Sequence, residues 1–113
     1  MQLKSGKKFS LQVPQGYQIS VAGEVEHRLR FMSKSPDGRL FATDMYNRGD
    51  NKLGRVVIFE QWNEQQKKFL KTTEYLNKLR NPNQVAFYST AGQHFIYVAE
   101  TGFIKRSCRP SDG

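Results

Sequence analysis

"SPDGRLFATDMYN", Ser35 to Asn47, opens on the turn signal Pro36-Asp37-Gly38, alternates apolar and polar through Asp44, and closes on a polar loop. "YSTAGQHFIYVAETG", Tyr88 to Gly102, follows the same order: a turn at Ala91-Gly92, an alternating run, the acid Glu100 and a polar turn. Alternating runs separated by a glycine turn read as a β-hairpin. The same hairpin written twice in one chain reads as a repeat.

Working outward, nearly every ordered-looking stretch alternates. Runs rich in Val, Ile, Phe, Tyr and Thr predict eight strands, at 17–22, 28–34, 39–45, 54–61, 69–76, 83–88, 94–100 and 102–107. "WNEQQKKFLK", Trp62 to Lys71, has helix-favouring residues but no apolar stripe at helical spacing, so Asn63 to Lys68 reads as a polar hairpin loop. Anchoring Met32 on Val85 offsets the two copies by 85 − 32 = 53 residues, and Phe41 on Tyr97 by 97 − 41 = 56. The same alignment places His27-Arg28 opposite Asn81-Pro82, and Lys34 opposite Phe87. A period of this length filled by four short strands is the make-up of a propeller blade. The expected fold is therefore all-β: two four-stranded antiparallel propeller-like blades, with strands 28–34 and 83–88 innermost and adjacent. Residues 1–13 read as an N-terminal extension, 14–107 as the two-blade fragment and 108–113 as a tail. Alternation nominates Met32, Leu40, Val56, Ile58, Val85, Phe87, Ile96 and Val98 as core, with Trp62 or Phe59 near a blade edge.

The chain of 113 residues is one small domain or a piece of a larger one, and with 37% hydrophobic residues its core is thin. Eighteen basic residues against ten acidic give a net charge of +8, which favours anionic partners. The basic residues are dispersed, with no Arg-Gly tract or aromatic–basic alternation, which argues against a nucleic-acid module. A single cysteine, Cys108, excludes a disulfide framework. No apolar run reaches the length of a secretion signal or a membrane helix, so a cytoplasmic protein with no membrane partner is expected from the sequence as it stands.

"PQGYQISVAGEV", "SPDGRLFATDMYN", "LGRVVIFEQ", "LRNPNQVAFY" and "IYVAETGFIKR" together resemble the soluble quinoprotein sugar dehydrogenases, especially the sorbosone-dehydrogenase-like branch, and the related NHL-type propellers. The resemblance spans Pro14 to Arg106. It implies a six-bladed β-propeller, of which this chain holds two blades. In an active relative it further implies pyrroloquinoline quinone and calcium at one face, sugar oxidation, and often export. The family's catalytic histidine, arginine and asparagine lie in blades without a counterpart here.

In a propeller, the loops between outer and inner strands and those after the second strand gather at one end of the channel. Those loops hold His27, Arg28, Arg30, Asp44, Tyr46, Arg48, Asp50, Arg80, Asn81 and Glu100, a polar set of both signs suited to a sugar or a small anion. The competing structural reading is that Asp44 and Glu100 bond local backbone. His27 is a candidate base by residue type but has no acid partner at fixed spacing, and His94 falls at a hairpin edge. "DMYNRGDN", Asp44 to Asn51, offers a few oxygens but lacks the Asp-x-Asp-x-Asp-Gly form of a calcium loop. No catalytic residue or metal site is nominated, and no cofactor is expected unless the dehydrogenase reading holds. Three readings follow: a non-catalytic binding or assembly module; part of a quinoprotein sugar dehydrogenase completed by oligomerisation; and a basic polyanion-binding module. Two blades leave both outer faces bare, so self-association is expected, as a dimer or a cyclic trimer.

Overall fold

The computed structural model describes residues 2–8 and 10–110. It is all-β with no helix among the described residues. Seven strands run in order: β1 (Leu29–Lys34), β2 (Leu40–Asp44), β3 (Gly54–Asn63), β4 (Lys68–Leu79), β5 (Val85–Thr90), β6 (Gln93–Glu100) and β7 (Phe103–Pro110). They form two antiparallel meanders, a four-stranded sheet β1-β2-β3-β4 and a three-stranded sheet β5-β6-β7. The turn Pro36–Gly38 joins β1 to β2, with Gly38 at φ 91°, and Gly92 at φ 87° turns β5 into β6. Both glycines adopt the left-handed conformation these turns require. The polar loop expected before β4 is a tight hairpin turn pairing Asn63 with Lys68.

The expected strand at 17–22 is not formed, and the second sheet has three strands instead of four. Alternation marks a strand only where a neighbour supplies backbone partners. Tyr17 and Ile19 are 72% and 45% exposed, and Ala22 makes a single backbone bond, its carbonyl accepting from Phe69 N–H at 2.8 Å. β7 runs beyond the expected end at Ser107, its Cys108 pairing with Phe95 of β6. Of the expected tail, residues 111–113 lie outside the described residues, as do Met1 and Phe9 of the N-terminal extension.

The sheets stack face to face, with β5 against β1 and β2. Phe41, Val56, Ile58 and Leu79 of the first sheet meet Val85, Ile96 and Val98 of the second in one buried cluster. Phe41 is edge-on to Phe87 and Tyr75, with ring centroids 4.9 and 5.5 Å apart. The far face of the first sheet buries Ala42, Val57 and Phe59, packed with Val25 and Phe69. Its cover is the N-terminal segment, where Gly23 lies so close to the Phe59 ring that an added Cβ would stand 2.8 Å from it.

Five of the eight nominated core residues, Val56, Ile58, Val85, Ile96 and Val98, are buried. Leu40 and Phe87 are half-buried. Met32 is 61% exposed, because it sits on the edge strand β1 at the rim of the far face. Of the alternative pair, Phe59 is buried and Trp62 is half-exposed beyond the stacked region. Phe41, Ala42, Val57 and Leu79 complete the core. With both faces of the first sheet covered, alternation cannot tell the inside from the outside.

Candidate functional site

The ten nominated residues come together at one end of the stack, around the segment before β1, the β2–β3 loop, the β4–β5 link and the β6–β7 turn. Each hairpin closes this end with a buried acid. Asp44, at the end of β2, accepts from Arg28 N–H at 3.0 Å and from Tyr46 N–H at 2.9 Å, while Met45 N–H donates to the Arg28 carbonyl at 2.8 Å. Glu100, at the end of β6, accepts from Arg80 N–H at 2.6 Å, while Thr101 N–H donates to the Arg80 carbonyl at 3.0 Å. The two clasps match Arg28 with Arg80, at 80 − 28 = 52 positions, not with Pro82 as the sequence alignment has it.

These bonds decide what the acids can do. The second oxygen of Asp44 takes Arg55 Nε at 2.9 Å, and Glu100 faces Lys105 Nζ at 3.4 Å. Asp50 is held by Arg80 through paired Nε and Nη2 bonds of 2.8 Å each, and the hydrogen bonds from Arg80 hold its carboxyl below the usual range. Each of these carboxylates therefore meets a cation or an amide of the chain. Both acids of the Asp44–Asn51 stretch are thus turned to arginines.

Asn81 braces the β2–β3 loop against the β4–β5 link, its Nδ2 donating to the Gly49 carbonyl at 2.9 Å and its Oδ1 accepting from Asn51 N–H at 3.1 Å. Asn83 spans the two sheets. Its carbonyl accepts from Thr43 Oγ1 at 2.8 Å and its Oδ1 from Arg30 Nε at 3.2 Å. Pro82 is fully buried against Gly54, where an added Cβ would stand 2.3 Å from the proline Cδ.

Arg28, Arg30 and Arg48 line an open groove at this end together with Asn81, Asn83 and Glu100. Among the described residues, none of the three arginines is in an ion pair. His27 is exposed, with its ring 4.5 Å from that of Tyr46, and Tyr46 has φ 71°. The groove thus offers donors in excess of acceptors, which suits an anion better than a sugar.

Sequence reasoning missed Arg55 as the partner of Asp44. The two are directly cross-strand, so pairing β2 with β3 in register would have found it. His94 lies at the far end of the stack, with Nδ1 2.8 Å from Ser89 Oγ across the β5–β6 hairpin. No family model, curated protein or solved structure matches the chain.

Proposed function

We propose that the chain is a non-catalytic β-propeller fragment that acts as a binding or assembly module, and that it self-associates through the outer face of the second sheet. Support for the propeller reading comes from the four-strand meander, the equal clasps closing both hairpins and the contact of β5 with β1 and β2. The observation that carries the assembly reading is the difference between the two outer faces. The first sheet's outer face is covered by the chain's own residues near Ala22 and Val25. The second sheet's outer face carries Tyr88, Phe95, Tyr97 and Ile104, of which Tyr88 is 55% and Ile104 70% exposed. Apolar faces of this kind are association sites.

The N-terminal cover also chooses between assemblies. A cyclic trimer needs the outer face of one chain's first sheet to receive the second sheet of the next, and the covering segment occupies that place. An isologous dimer, second sheet on second sheet, needs no displacement. Three strands about 4.8 Å apart and about eight residues long present roughly 400 Å² of face. That is half of the about 800 Å² per partner of a standard interface, so the dimer is weak. In light scattering at high concentration, Tyr88→Ser with Ile104→Ser yields a monomer where the native chain associates. Equal association of the two proteins overturns the reading.

A second reading is favoured by the three arginines without ion-pair partners: the loop-end groove takes a small anion. Citrate titrated into the native chain shifts the Arg28, Arg30 and Arg48 side-chain resonances saturably, and sorbitol does not. Shifts that follow ionic strength alone contradict it.

A further inference from the structure

Among the described residues, the hydrogen bonds that fasten the two sheets together lie at one end of the stack. Thr43 and Arg30 of the first sheet bond Asn83 ahead of the second, and Asp50 and Asn51 bond the β4–β5 link. Among the described residues, no hydrogen bond joins the two sheets at the opposite end, where the β1–β2 turn faces the tips of β5 and β6. There the sheets part, and a cleft of about 200 Å³ opens between them.

Its floor is apolar and aromatic. Phe41, Tyr75 and Phe87, packed edge to face, and Ile96 line it from both sheets. Its rim is polar, with Asp37, Arg39, Ser89, His94 and Ser107. The spare donors on that rim are on Arg39 and His94. Asp37 accepts from Ser35 Oγ and from Arg39 Nε, the latter at 2.9 Å, and these bonds hold it ionised below the usual carboxylate range. Arg39 engages Asp37 through Nε alone, and its guanidinium lies 5.3 Å from the centre of the Phe41 ring. Both terminal nitrogens of Arg39 remain as donors. His94 Nδ1 lies 2.8 Å from Ser89 Oγ, which leaves the other ring nitrogen for a ligand, a donor in the tautomer whose Nδ1 accepts from Ser89. An aromatic floor beneath spare donors fits a flat apolar body with an anionic acceptor at one end.

We propose that this cleft binds a small aromatic carboxylate, its ring on the floor formed by Phe41, Tyr75 and Phe87 and its carboxylate at Arg39 and His94. The size agrees, since a buried cavity of about 150 Å³ accommodates benzene. The site is at the opposite end from the arginine groove and on the inner faces of the sheets, so it is independent of both readings above.

The test is a heteronuclear NMR titration of the native chain with benzoate, benzamide and citrate. Benzoate is expected to move the amide signals of Phe87, Ile96 and His94 and the ring signals of Phe87 and His94 saturably, while citrate, which has no ring, leaves them in place. Arg39→Gln should weaken benzoate by about tenfold through loss of a charge-assisted hydrogen bond. It should leave the affinity for neutral benzamide unchanged, which separates loss of the carboxylate contact from loss of fold. Overturning results are benzoate shifts confined to Tyr88 and Ile104 on the outer face or to the arginine groove, no saturable shift at all, or equal weakening of benzoate and benzamide by the Arg39 change.

Discussion

Asp44 has the surroundings of a structural acid. Its side chain is 1% exposed, and its oxygens meet two backbone N–H groups and the Arg55 guanidinium. Asp44→Asn removes the charge and turns amide hydrogens toward one of those donors. A loss of about 2–4 kcal/mol is expected in chemical denaturation, the range for breaking a buried charged hydrogen-bond set. Gly54→Ala should cost about 1–3 kcal/mol by overpacking, because the new methyl meets Pro82 and the Leu79 carbonyl. The exposed acids give the pH dependence. Asp37, Asp50 and Glu64 are each held below their ordinary values, first by hydrogen bonds from Ser35, Arg80 and Lys67 respectively. A depressed carboxyl stabilises the fold above its unfolded pKa, and the contribution is lost as pH falls through the folded value. The thermal unfolding temperature should therefore fall below about pH 4, the ordinary carboxylate range, and fall less in high salt, since these pairs are exposed. At this scale the candidate residues were legible in the sequence as a group. Their roles were not, because the sequence does not tell a carboxylate facing backbone amides from one facing a ligand.

The hairpins are the elements the sequence states most clearly. Gly38 and Gly92 each mark a turn, and the alternation on either side of each pairs as expected. Tyr17–Ala22 carries the same alternation and forms no strand, because period-two patterning specifies two faces but not a hydrogen-bonding neighbour. Which face of β2 is interior was equally hidden. Leu40 and Phe41 are both apolar, and only the second sheet on one side and the N-terminal segment on the other assign them. Docking of that segment is testable through Phe69, whose N–H bonds Ala22. Gly23→Val pushes a side chain into the Phe59 ring. Hydrogen exchange at Phe69 should then rise toward that of an exposed edge amide, while the amides of the central strands β2, β3 and β6 keep their protection. Unchanged exchange at Phe69 would show that the segment docks without the close Gly23 contact.

For the whole molecule, composition set the broad terms: a small basic chain with a thin core. It left open how the outer faces are closed. Among the described residues the first sheet is covered on both sides and the second on one, so the stack is closed on one outer face and bare on the other. Sedimentation equilibrium of the native chain, from low to high micromolar concentration at low and high salt, tests this most directly. The account predicts a monomer passing to a dimer as concentration rises, with association strengthened by salt, because an apolar contact forms between chains that each carry a net charge of +8. A well-folded monomer throughout that range, or a trimer formed without a dimer, would contradict it.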